Sequence, residues 1–180
     1  MFISPANVIA KISPYVSDWT SNLTVADFGS GTGDYVLEIA RQTDGNGRVY
    51  GIDIQKNLLD RLSTNAAARG YDNVMTVWSD LEELGATKIP EASIDVVLLA
   101  NIMFQVEEKD ALLQEVSRLL KPSGLLVVVD WQDSFNGLGP QSDSIITKQT
   151  VEQLLISAGY DIQSSQPTTD HHYLIIANKS

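Results

Sequence analysis

Two stretches of this chain, Val96–Ala100 and Leu125–Val129, are apolar at five consecutive positions each. A strand with one wet face alternates polar and apolar residues, whereas an uninterrupted apolar run is covered on both faces. Similar short, β-branched segments recur at Thr24–Phe28, Arg48–Ile54 and Asn73–Trp78, while the two apolar runs sit inside Ile94–Ala100 and Leu125–Asp130. Between them the spacing turns helical. Lys109–Leu120 carries Leu112, Leu113, Val116, Leu119 and Leu120 on one stripe before Lys121-Pro122-Ser123-Gly124 stops it. Gln55–Arg69, with Gly70 at its C-terminal turn, and about Lys148–Ala158, ahead of Gly159, read the same way. Strands covered on both faces and alternating with helices predict a parallel sheet between two helical layers, the doubly wound α/β class.

The end of the chain breaks the alternation. Tyr160–Ser165 and Tyr173–Ala177 are joined by a link too short for a parallel crossover, so they are expected to pair as an antiparallel hairpin at one edge of the sheet. Trp131–Thr147, with Gly137, Gly139 and Pro140, reads as a long loop after the fifth strand, and long loops in compact domains are often functional. Phe2–Tyr15 places Phe2, Ile3, Val8, Ile9, Ile12 and Tyr15 at roughly helical spacing.

Charge restricts the partners. The 180 residues hold 23 acidic and 12 basic side chains, for a formal net charge of −11, and both halves of the chain are acidic. Without any Lys/Arg cluster, neither nucleic acid nor an anionic membrane surface is an expected partner, and a small-molecule substrate is favoured. The absence of cysteine excludes disulfides, thiolate metal sites and a cysteine nucleophile. It accords with a cytoplasmic location. No run approaches the roughly 20 apolar residues of a membrane span, and the first residues have neither signal-peptide nor transit-peptide character. A single domain over 1–180 is expected, with 1–20 as an N-terminal helical segment and 21–180 as the core. The sequence leaves the oligomeric state open.

The chemistry is concentrated where the first strand gives way to the first helix, at Asp27-Phe28-Gly29-Ser30-Gly31-Thr32-Gly33. Glycines here admit positive φ and let a ligand approach the backbone, and the helix beginning near Gly33 offers free N–H groups. A dinucleotide fingerprint with glycines at 29 and 31 requires a third at 34, but that residue is Asp34. No Gly-Lys-Ser/Thr follows for a phosphate loop. Instead Asp27 precedes the glycines, where a carboxylate repels a pyrophosphate and attracts an ammonium or sulfonium group.

With these residues the sequence resembles the class I S-adenosylmethionine-dependent methyltransferases, and within them a compact group related to the ubiquinone/menaquinone-biosynthesis enzymes. The resemblance implies a Rossmann-like, seven-stranded, mostly parallel sheet in a three-layer α/β/α arrangement. It also implies S-adenosyl-L-methionine as cofactor and S-adenosyl-L-homocysteine as product. Asp27, Phe28, Gly29, Ser30, Gly31 and Gly33 match the first motif, with the glycine backbone against the methionine part and the acid near its amino group. Asp53, followed by Ile54, matches the acid that receives the ribose hydroxyls, for which a carboxylate has enough acceptor sites. Asp80, followed by Leu81, corresponds to the acid that reads the adenine amino group, and Asn101 stands where the methyl-transfer site opens.

Each of these residues has a plainer role available. The glycines can serve tight strand-to-helix packing, Asp53 and Asp80 can start helices, the latter over Leu81–Leu84, and Asn101 can make a local strand-end bond. His171 and His172 are the candidates for a general base or a substrate-orienting group. As strand neighbours they face opposite sides and do not readily share an ion, so no metal is expected. Trp131 and Phe135 are suited either to an apolar acceptor pocket or to covering the sheet, and the Phe2–Tyr15 helix either to packing or to a lid. Acceptor specificity is expected from residues 1–20 and 131–147. A cofactor-binding sensor without catalysis and, less well supported, an NAD-dependent oxidoreductase are the competing readings.

Overall fold

The computed structural model describes residues 3–134, 139–169 and 171–180. Phe2, Phe135, Gly137 and the Asp170 of the last link therefore lie outside the described residues. In chain order the elements are α1 (Pro5–Ile12), β1 (Thr24–Phe28), α2 (Asp34–Gln42), β2 (Arg48–Asp53), α3 (Lys56–Ala68), β3 (Val74–Trp78), β4 (Ile94–Ala100), α4 (Lys109–Leu119), β5 (Leu120–Trp131), α5 (Lys148–Ser157), β6 (Tyr160–Pro167) and β7 (His172–Lys179). The strands form one sheet in the order β3-β2-β1-β4-β5-β7-β6. β1 to β5 pair in parallel, and β7 runs antiparallel to both β5 and β6.

The apolar runs are buried on both faces. Val97, Leu99, Leu126 and Val128 pack against Leu112, Val116 and Leu119 of α4 and Val151 and Leu155 of α5. Val96, Leu98, Leu125 and Val127 join Val36 and Ile39 of α2, Leu59 and Leu62 of α3, and Val8, Ile9 and Ile12 of α1. Alternate residues of one strand thus feed two separate cores. The N-terminal helical spacing forms α1 followed by a 3-10 turn at Ser13–Tyr15. Among the described residues no helix is long and apolar enough to cross a membrane.

Two local expectations change. Lys121-Pro122-Ser123-Gly124 stops α4 but already belongs to β5, which begins at Leu120 rather than at Leu125. Ile94 pairs with Leu120 and Val96 with Leu125, so the strand bulges there, with Ser123 at φ 60°. Asp80 starts no helix: its Oδ1 accepts from the Glu82 amide at 2.9 Å, turning the chain after β3.

A buried acid ties that turn to the body of the protein. Glu115 on α4 is fully buried and accepts from the Gly85 amide at 2.8 Å, the Thr87 hydroxyl at 2.6 Å and the Arg118 guanidinium at 2.7 and 2.8 Å. Arg118 in turn donates to the Ile89 carbonyl at 3.0 Å. Glu115→Ala leaves the Gly85 amide and the Thr87 hydroxyl hydrogen without an acceptor and the largely covered Arg118 guanidinium without its counter-charge, held by Ile89 and Thr87. A loss of about 2 kcal/mol is expected from such unpaired groups, read as a lowered midpoint in urea denaturation.

Candidate functional site

The connections leaving β1 and β4 diverge: α2 lies over one face of the sheet and α4 over the other. Between the carboxyl ends of these two neighbouring strands the sheet necessarily leaves a crevice, the place where open α/β sheets bind ligands. The glycine turn after β1 and the turn after β4 border it.

The glycine turn is held by the end of β2. Gly29 and Ser30 donate to the Ile52 carbonyl at 2.8 and 3.0 Å, and Gly31 donates to Asp53 Oδ2 at 2.8 Å. The other oxygen of Asp53 accepts from the Gln55 amide at 2.8 Å. Asp53 thereby links the glycine turn to the start of α3. Gly33 caps α2 at φ 89°, and a Cβ there would stand 2.2 Å from Leu62 Cδ1, so neither backbone nor space admits a side chain. At Gly31, also in the left-handed region, a Cβ would meet nothing within 4 Å. The turn therefore presents bare backbone to open space.

Two cavities meet over it, sharing Gly29 and Gly31. One, of about 330 Å³, is lined by Asp53, Ile54, Asp80, Leu81, Ile102 and Gln105, among others. The second, of about 210 Å³, is lined by Asp27, Ser30, Asp34, Tyr35 and Asn101, among others. Among the described residues, the ionisable side chains bordering the first cavity are carboxylates, and the second adds Asp27, Asp34 and the Tyr35 phenol. Asp27 Oδ1, Ser30 Oγ, Tyr35 Oη and Asn101 Oδ1 are buried without a hydrogen-bond partner. Burial pushes the Asp27 carboxyl well above the ordinary carboxylate range, and the Asp53 and Asp34 carboxylates push it further the same way.

Of the residues singled out from sequence, Asp27, Gly29, Ser30, Gly31 and Asn101 border the second cavity, and Gly29, Gly31, Asp53, Ile54, Asp80 and Leu81 the first. Phe28 belongs to the core on the α4 side, and Gly33 acts through the cap of α2. Neither His171 nor His172 lines either cavity. His172 is buried, its ring 4.1 Å from the Trp131 ring and its Nδ1 3.2 Å from Thr169 Oγ1, and burial lowers its pKa to about 4. His171 Nδ1 lies 2.6 Å from Asp133 Oδ1. Trp131 is a packed residue whose indole lies against Gly139.

The residues missed from sequence are Thr32, Asp34, Tyr35 and Ala100 in the second cavity, and Gln55, Leu58, Glu82, Ile102, Gln105 and Val106 in the first. Their shared signal is position, since each stands at or after the carboxyl end of a parallel strand. Asp53→Ala removes the acceptor of the Gly31 amide, so hydrogen exchange at Gly31 and Gln55 is expected to accelerate while the β1 amides stay protected. Unchanged exchange at Gly31 would show that the turn stands without that carboxylate.

A family model described as "Methyltransferase domain" matches residues 19–167. The ubiquinone/menaquinone biosynthesis C-methyltransferase UbiE of Hahella chejuensis (strain KCTC 2396) is 32% identical over 114 residues, covering 63% of this chain. The chain spans 45% of that relative's length. Among solved structures, a SAM-dependent methyltransferase from Aquifex aeolicus superposes with a TM-score of 0.86 at 22% identity, covering 98% of this chain and 89% of that one. Magnesium protoporphyrin IX methyltransferase (ChlM) from Synechocystis PCC 6803, solved with bound SAH, gives 0.74 at 18% identity, covering 98% and 81%. These two likenesses concern the fold, a mostly parallel sheet with an antiparallel C-terminal pair. The family match embraces the glycine turn, Asp53, Asp80 and Asn101 together, and the chain belongs to the class I S-adenosylmethionine-dependent methyltransferase family.

Proposed function

We propose that this chain binds S-adenosylmethionine across the glycine turn and transfers its methyl group to a small-molecule acceptor. The observation that carries the reading is the pair of cavities meeting over Gly29 and Gly31, one holding the unpartnered Asp27 oxygen and the other bordered by Asp53 and Asp80. A ligand with an ammonium at one end and a hydroxyl-bearing, amine-bearing nucleoside at the other fits that distribution. Asp27 would take the ammonium, Asp53 the ribose hydroxyls through lone pairs left free by Gly31 and Gln55, and Asp80 the adenine amine, with Ile54 and Leu81 beside the base. When bound, the cofactor supplies an electrophilic methyl on a sulfonium, transferred by in-line displacement.

The contribution of the protein is then to hold and orient. Gly31 exposes backbone without a Cβ, Ser30 and Tyr35 present unpartnered hydroxyls, and Asn101, half-buried at φ 56°, presents an unpartnered amide oxygen to the same cavity. The acidic charges that the described residues place along these cavities and the net charge of −11 support a small acceptor over a nucleic acid. Residues 1–20 and 131–147 are proposed to border the acceptor. The all-acidic lining disfavours the pyrophosphate of a nicotinamide dinucleotide.

The Asp27 carboxyl gives a pH-dependent test. Its pKa is raised in the free protein, and a bound ammonium favours the ionised form, so binding expels a proton. Affinity for S-adenosylhomocysteine should therefore rise as pH increases through the Asp27 titration. In calorimetry the apparent binding enthalpy should vary with the ionisation enthalpy of the buffer. Asp27→Asn should abolish that buffer dependence and weaken binding about tenfold or more, as expected for loss of a charge-assisted bond. NADH binding in place of the sulfonium pair would overturn the cofactor assignment. Turnover against a metabolite panel, scored by S-adenosylhomocysteine release, tests the activity, and binding without turnover would favour a sensor.

A further inference from the structure

We infer that Asp130, at the end of β5, is a positioning residue that holds the turn after β4 in the shape required for cofactor binding. The inference rests on the cofactor reading above and concerns a residue that touches neither cavity. The Asp130 side chain is fully buried. Its Oδ2 accepts from the Met103 amide at 2.9 Å and its Oδ1 from the Trp131 amide at 2.8 Å, and the Phe104 amide also donates to the carboxylate. One carboxylate thus pins the turn after β4 to the strand beside it.

The pinned turn faces the site. Asn101, directly after β4, sits in the left-handed region at φ 56°, its amide donating to the Val129 carbonyl at 2.8 Å and its carbonyl accepting from Gln105 Nε2 at 2.6 Å. The chain then reverses so that Met103 enters the core on the α4 side, while Ile102 lines the 330 Å³ cavity. Ile102 also closes on the glycine turn: a Cβ at Gly29 would lie 2.7 Å from its Cδ1. A left-handed asparagine costs energy and persists only where its surroundings hold it. Beside the bonds of Asn101 to Val129 and Gln105, the amides of 103 and 104 are fastened to Asp130, so a carboxylate on a different strand fixes the far side of the turn that carries Asn101 and Ile102.

Residue type matters at this position. Three amide donors converge on one side chain, and an ionised carboxylate is the side chain with acceptor sites alone. An asparagine would turn an NH₂ toward one of the donors. The charged groups acting on Asp130 are Lys109 at the start of α4, which favours ionisation, and the phenol of Tyr173 on β7, whose own ionisation Asp130 opposes. Burial outweighs the amide donors and raises the Asp130 pKa to about 6.

The test uses ¹⁵N-labelled full-length protein and S-adenosylhomocysteine. In the wild type the Met103 amide resonance should titrate with a midpoint of about 6, and in Asp130→Asn that titration should vanish. The same variant should bind S-adenosylhomocysteine about tenfold more weakly, the cost of one buried unpaired donor, while the Gly31 amide, held by Asp53, keeps its protection. Affinity equal to wild type in a folded Asp130→Asn protein would overturn the inference. If that variant does not fold, Ile102→Ala provides the second arm. It keeps the carboxylate and should lose affinity while preserving the Met103 titration, and unchanged affinity there would equally overturn the inference. Wild-type protein that binds no S-adenosylhomocysteine would overturn the cofactor reading instead, leaving the Met103 titration to decide whether Asp130 holds the turn.

Discussion

Three amides of the glycine turn reach across to the end of β2, two to the Ile52 carbonyl and one to the Asp53 carboxylate, and the site depends on that grip. Parallel pairing of β1 with β2 brings Phe28 opposite Ile52, so the turn leaves β1 level with an acceptor it can use. Its amides are consumed on one side and its bare Cα atoms are left on the other. A turn with larger residues would have to be held farther from its ligand. Here Gly29 and Gly31 supply two of those three amides and also leave the turn without Cβ atoms, and the acid at the end of β2 holds the second of them.

The electrostatics follow from burial. Asp27, on the interior strand β1, is buried and acted on by the carboxylates of Asp53 and Asp34, with no cation among the described residues that border the cavity. Burial and the two neighbouring acids raise the Asp27 pKa, so the fold favours the uncharged carboxyl over a bare buried charge. A cation placed there would favour the ionised form, whereas an anion would meet three carboxyl groups. Most of the other acids are exposed and act only through the net charge of −11.

Much of the architecture was legible because its signals are periodic. Val96–Ala100 and Leu125–Val129 announced strands covered on both sides, and Gly31, Asp53 and Asp80 carried the site through residue type and position after a strand. Other features gave no such signal. The bulge at Lys121–Gly124 arises because β5 continues backward to pair with Ile94, a tertiary contact that a Pro-Ser-Gly sequence does not advertise. Asp130 reads as an ordinary strand-end acid until the turn after β4 is seen folding onto it. His171 and His172 drew notice by residue type alone, whereas the fold gives His172 to packing against Trp131.

The position of β7 has a consequence for synthesis. Because β7 lies between β5 and β6, the outer edge of β5, whose Leu125–Val129 segment is entirely apolar, has no strand partner until residues 172–179 have been made. Roughly forty residues of chain separate the two strands, which at about 5–20 residues per second is a delay of a few seconds. During that interval the nascent protein displays an open, flat, greasy strand edge of the kind that nucleates association between neighbouring chains. The hairpin that completes the sheet is therefore also its seal.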